Sequence, residues 1–158
     1  MKTLIAYASK YGTTEKCSLL LKDKIDGEVD VINLKNEQPT LSDYDAIIVG
    51  GPIYIGKLNK TVETFCINNL PAMIDMKKGF FICHMEFEKT MEELVAKYYP
   101  KKLVDTAVAT SGFGGAFYVS KMNFLNKAMI KKAAGIMEDQ EKILYDEIDK
   151  FAAIFNAW

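Results

Sequence analysis

The stretch Thr3-Leu4-Ile5-Ala6-Tyr7-Ala8-Ser9-Lys10-Tyr11-Gly12-Thr13-Thr14 decides how the rest of the chain is read. Its first half is apolar without interruption, as a strand covered on both faces must be. Its second half gathers hydroxyl groups around one glycine. Directly behind, Cys17, Leu20, Leu21 and Ile25 recur at helical spacing. A strand that turns into a helix in this way exposes unpaired N–H groups and the positive end of the helix dipole. Ser9, Thr13 and Thr14 add donors there, and Gly12 lets the backbone curl around a bound group. Two readings stand at this point: a helix cap with turn residues, or a socket for a phosphate.

The pattern repeats outward from that turn. Residues 29–34, 45–51, 79–83 and 104–110 read as four further strands, again apolar without polar alternation. The segments between them carry helical stripes: Leu58, Val62, Phe65 and Cys66 before Pro71, then Phe87, Met91, Leu94, Val95 and Tyr98 before Pro100. A last helix is marked by Ile143, Leu144, Ile148, Phe151 and Phe155. Five strands with intervening helices predict a three-layer α/β sandwich. Its five-stranded parallel sheet is doubly wound in the order 2-1-3-4-5, and all 158 residues form one domain.

Residues 111–136 exceed that minimum. They hold a glycine-rich loop and an additional helical run, with Lys121, Lys127, Lys131 and Lys132 but no acidic residue between positions 106 and 137. Met122, Leu125 and Met129 supply an apolar stripe. The segment reads as a surface helix with snorkelling lysines or as a docking face, residues 117–136 then meeting a membrane surface or an acidic partner.

Composition narrows the function. Acidic and basic residues nearly cancel at a formal charge of −1, which gives no bias toward nucleic acid. Cys17, Cys66 and Cys83 form no CxxC pair and each lies in an apolar run, so buried free thiols and a reducing cytoplasm are expected. His84 is the sole histidine, which leaves no evident metal cluster. No apolar run reaches the eighteen or so residues that span a bilayer.

Ligands of such sheets bind beyond the carboxyl ends of the strands, where the winding reverses. The loops due there are Ser9 to Thr14, then Pro52-Ile53-Tyr54-Ile55-Gly56, then His84, and last Gly112-Phe113-Gly114. Tyr54 or Ile55 is suited to lie against a flat ring. The first turn has neither GxGxxG nor Walker spacing, which argues against dinucleotide binding through it and against nucleotide hydrolysis. A phospho-receiver domain would need an aspartate at the end of strand one, where Ala8 and Ser9 stand.

These loops carry a resemblance. "SKYGTT" at 9–14 and "GGPIYIGKLNK" at 50–60 resemble the two FMN loops of flavodoxin-like proteins. Tyr11 stands where many members of that family have threonine. "MKTLIAYASKYGTT", "YDAIIVGGPIYIG" and "NKAMIKKAAG" are most similar to the branch containing the quinone-linked protoporphyrinogen dehydrogenases. The resemblance implies FMN as cofactor. Ser9, Lys10, Tyr11, Gly12, Thr13 and Thr14 would then hold its phosphate, and Pro52, Ile53, Tyr54, Ile55 and Gly56 would flank its ring. His84 with Gly112, Phe113 and Gly114 would close the remaining edge. It also implies a redox protein partner or a quinone. An FMN electron carrier, an FMN-dependent dehydrogenase and a flavin-free phosphate-binding module are the three functions in play.

Overall fold

The computed structural model describes residues 1–85 and 91–158 of the chain. Strand β1 (Lys2–Tyr7) leads into helix α1 (Thr13–Lys22), and β2 (Glu28–Asn33) follows. After a short 3-10 turn come β3 (Ala46–Tyr54) and the two-residue β4 (Lys57–Leu58), then helices α2 (Lys60–Asn68) and α3 (Leu70–Met73). The chain continues through β5 (Lys77–Cys83), α4 (Met91–Tyr98), α5 (Lys101–Val104) and β6 (Ala109–Gly112). It ends with β7 (Gly114–Phe117), α6 (Phe124–Ala134), β8 (Gln140–Ile143) and α7 (Tyr145–Asn156). Phe87, expected on the helical stripe before Pro100, lies outside the described residues.

The main sheet is parallel in the order β2-β1-β3-β5-β6, with β4 pairing antiparallel on the end of β3. Counting the long strands alone, this is the expected 2-1-3-4-5. The uninterrupted apolar runs are explained by two cores, one on each face. Leu4, Ala6, Ile47, Val49, Phe80 and Ile82 enter one cluster, whereas Ile5, Ala46, Ile48, Phe81 and Cys83 enter the other. Side chains alternate along a strand, so both alternating sets must be apolar when both faces are covered.

Close packing fixes the register. Gly50 of β3 lies opposite Phe81 of β5, and a Cβ at Gly50 would stand 2.0 Å from the Phe81 ring. The ring occupies the space that a side chain at 50 would need. Lys78 is also fully buried, its Nζ donating to the carbonyls of Ile74 at 2.9 Å and Met76 at 3.0 Å. Two free carbonyls behind α3 thereby gain a partner.

The structure departs from the sequence reading beyond residue 100. Val104, read as the first residue of the fifth strand, instead ends the helical turn α5, because Pro100 opens a helix there, and the strand itself starts at Ala109. Residues 111–117 are not a loop leading to a helix; they complete β6 and form β7, which pairs antiparallel with β8. Ile143 ends β8 rather than joining the last helix. The segment between β7 and β8, including α6, is therefore an insert carried on a two-stranded ladder.

Candidate functional site

One cavity of about 540 Å³ opens at the carboxyl ends of β1, β3 and β5. That volume is in the range of small-ligand and cofactor pockets. Its floor is the turn between β1 and α1. Gly12 sits in the left-handed region at φ 99° and caps α1, its N–H donating to Ser9 Oγ at 2.9 Å. Only a residue without Cβ adopts that backbone cheaply. Thr13 and Thr14 are the first helical residues, so their N–H groups lack intrahelical partners.

Thr14 carries the sharpest signal. It is 0% exposed, and its Oγ1 is buried without a hydrogen-bond partner among the described residues, although the residue lines the cavity. A buried hydroxyl left unpaired costs about 1–3 kcal/mol. An anion seated on the turn would accept from that hydroxyl and from the open N–H groups of the helix.

The second wall is the turn between β3 and β4. Ile55 and Gly56 lie at φ 49° and 66°, which throws the turn out over the cavity with Ile55 exposed. Tyr54 is half-buried, and its hydroxyl has no hydrogen-bond partner within bonding geometry among the described residues. Burial and the neighbouring Tyr11 hydroxyl push the Tyr54 hydroxyl up to about 12, so it stays protonated. Lys10 Nζ lies 3.7 Å from the centre of the Tyr54 ring, an exposed cation–π contact worth roughly 0.5–1 kcal/mol.

Of the residues singled out in sequence, Ser9, Lys10, Tyr11, Thr13, Thr14, Pro52, Ile53, Tyr54, Ile55, Gly56 and His84 all line this one cavity. Gly12 lies just outside, in a neighbouring groove beside Lys121. The loop after β6 supplies the cavity differently from expectation. Phe113 is fully buried in the core, stacked at 4.4 Å on Phe81 and edge-on at 5.5 Å to Phe151. Gly112 pairs with Ile82 inside the sheet, and Gly114 pairs with Ile143 at a position where a Cβ would stand 1.9 Å from the Lys142 carbonyl. Gly115, Ala116 and Phe117 face the cavity instead. The strand runs on through the glycines, and the ladder with β8 turns the later residues inward.

Sequence reasoning missed the far wall altogether. Ile130, Ala133, Ala134, Gly135 and Ile136 line it, and so do Gln140 and Lys142 of β8. The insert is thus a wall of the cavity as well as an outer surface. Its neck is pinned by Asp139, which accepts from the Ser120 N–H at 2.8 Å and the Ser120 hydroxyl at 2.7 Å. Those bonds hold the Asp139 carboxyl below its usual range. Glu141 accepts from Lys16 at 2.8 Å and from the Tyr118 hydroxyl, tying the same neck to α1. Lys16 is the first cause of the lowered Glu141 carboxyl, and Tyr118 adds to it.

The residues present fit FMN. A dianionic phosphate finds the orphaned Thr14 hydroxyl and an α1 N-terminus. A flat ring finds Tyr54, Ile55 and a wall of small apolar groups.

Comparison with known proteins agrees. A family model described as the flavodoxin domain matches residues 4–143. The fold aligns with the flavodoxin of Megasphaera elsdenii at a TM-score of 0.59 and 18% identity, over 96% of this chain and 98% of that one. Flavodoxin 2 of Bacillus cereus aligns at 0.59 and 22% identity over 99% of both chains. The flavodiiron core of Flv1 from Synechocystis aligns at 0.62 and 14% identity, covering 99% of this chain and 34% of that protein. No curated protein matches the chain.

Proposed function

Because the chain belongs to the flavodoxin-domain family, and FMN is therefore its cofactor, we propose that it carries electrons between a reductase and an acceptor in the cytoplasm. FMN supplies the redox chemistry when bound. The residues supply the seat. Ser9 to Thr14 hold the phosphate, with Thr14 Oγ1 and the α1 N–H groups as donors. Tyr54 and Ile55 cover one side of the ring, and His84 with Gly115 borders the other edge.

The observation that supports this reading most is the buried Thr14 hydroxyl, unpartnered among the described residues, on a residue that lines a cavity of cofactor size. Reconstitution of the protein with FMN tests it. The expected result is a bound flavin band that bleaches with a reductant and returns on adding a one-electron acceptor protein. A protein that stays colourless with FMN, or whose reduced flavin passes no electrons onward, rejects it.

A second reading is an FMN-dependent dehydrogenase of the protoporphyrinogen and quinone type. One feature favours it: Phe124 at 83% and Leu125 at 71% exposure stand in solvent on α6. Lys127, Lys131 and Lys132 share that helix, as a helix resting on an anionic membrane would require. No helix among the described residues is long and apolar enough to cross a membrane. Turnover of protoporphyrinogen with a quinone acceptor, and loss of liposome co-sedimentation on neutralising the three lysines, separate this reading from a carrier.

A further inference from the structure

The outward side of α6 carries an apolar strip bordered by cations. Phe124, Leu125 and Met129 are all exposed there, within two turns of one helix. At about 100° per residue they fall on the same side as Lys131 and Lys132, with Lys127 at its border. Asn126 and Ile130 fall on the opposite side, where Ile130 is buried and Asn126 is bonded to Tyr11. Among the described residues, no carboxylate lies within ion-pair distance of Lys127, Lys131 or Lys132. The helix dipole favours cations in the last turn, which holds Lys131 and Lys132. It gives no reason for an exposed aromatic at the first helical position.

This face is held in shape before anything docks on it. Asn123 caps α6 by accepting from the Asn126 N–H at 2.9 Å, and Gly135 closes the helix at φ 66°. The Tyr11 and Asp139 contacts anchor the insert on either side, which lowers the ordering cost of binding. An apolar centre bordered by charge is the anatomy of a protein interface. Three lysines without carboxylate partners call for a partner that is acidic at the contact. A bilayer fits less well. The apolar strip spans only residues 124–129. Outside residues 107–137 the chain holds 16 of its 20 basic residues and all 21 acidic ones, so an anionic surface would meet a body of its own sign.

Helix α6 is also a wall of the cofactor cavity, which Ala133, Ala134 and Gly135 line at its carboxyl end. A protein seated on the outer side would stand one helix diameter, about 10 Å, from the cavity. We propose that the outer side of α6 docks an acidic one-electron carrier protein, whose carboxylates meet Lys127, Lys131 and Lys132 around an apolar contact on Phe124, Leu125 and Met129. The proposal rests on the electron-carrier reading and names the class of partner for it. Each reduced carrier gives up one electron. Two carriers and two protons from solvent complete the reduction of one flavin.

The test uses the FMN-loaded protein with a reduced, acidic two-iron, two-sulfur ferredoxin as donor. Flavin reduction is followed by stopped flow at about 0.02 M and about 0.3 M salt, and binding of the oxidised ferredoxin by calorimetry. The wild-type rate constant should fall as salt rises. The triple variant Lys127→Gln, Lys131→Gln, Lys132→Gln is expected to lose about tenfold at low salt and to respond little to salt, with FMN affinity unchanged. Phe124→Ser should weaken ferredoxin binding about fivefold and keep the wild-type salt response. Lys102→Gln, on α5, should change neither. Equal rates in the wild type and the triple variant, a rate that rises with salt, or full binding by Phe124→Ser overturns the proposal and leaves the carrier reading standing. Wild-type binding to vesicles of phosphatidylcholine and phosphatidylserine that the triple variant loses overturns it too, and gives this side of α6 to a membrane. A protein that takes up no FMN overturns the carrier reading and the proposal together.

Discussion

Asn126 of the insert donates from Nδ2 to the hydroxyl of Tyr11 at 2.9 Å, across 115 positions of sequence. This contact joins the two ends of the cavity, because Tyr11 belongs to the turn under the expected phosphate and α6 forms the far wall. The bond is part-buried, and a neutral hydrogen bond of this kind contributes about 0.5–1.5 kcal/mol. Replacing Tyr11 by Phe should therefore cost little global stability. Hydrogen exchange in α6 should accelerate while exchange in β1 and β3 is unchanged, which amide exchange by mass spectrometry reads directly.

Thr14→Val separates cofactor binding from folding. The Thr14 hydroxyl has no hydrogen-bond partner among the described residues, so its loss removes a desolvation cost from the apoprotein. The melting temperature of the apo form should stay level or rise, while FMN affinity falls about tenfold. A matching fall in apo stability would mean that the hydroxyl is already satisfied within the fold.

Gly50→Ala should be among the most damaging small substitutions. Its new methyl would stand 2.0 Å from the Phe81 ring, and overpacking of this kind costs typically about 1–3 kcal/mol or more. The urea midpoint should drop accordingly, and adding Phe81→Leu should recover part of the loss.

Cys66 makes the protein sensitive to alkali. It is 0% exposed, and burial raises its thiol from about 9 to about 12. The unfolded chain therefore loses this proton first as the pH rises. Between those two values the folded state holds the extra proton, so stability is fully present below pH 9 and declines toward pH 12. Cys66→Ala should flatten that decline, measured as the urea midpoint against pH from 8 to 11 (a range chosen to bracket the onset).

The sheet and the first wall of the cavity were legible in sequence because their signals are local. Leu4 to Ala8 announce a doubly covered strand, and the Ser9 to Thr14 turn follows within the same dozen residues. The fate of Phe113 was not local. Whether it enters a loop or the core depends on β7 pairing with β8, whose Gln140 and Ile143 lie far along the chain. Lys78 hid the start of β5 for a related reason. A lysine reads as solvent-facing, yet this one is buried against the carbonyls of Ile74 and Met76. The helical character of α6 was visible in its spacing, but its place beside the cavity rests on Tyr11, Ser120 and Asp139, none of which marks itself as a partner in sequence.

The most direct test of the account is a crystal structure of the protein with FMN. The account predicts a phosphate oxygen within hydrogen-bond distance of Thr14 Oγ1 at the head of α1, with the flavin ring against Tyr54. A phosphate bound elsewhere, with the Thr14 hydroxyl still lacking an acceptor, would contradict it.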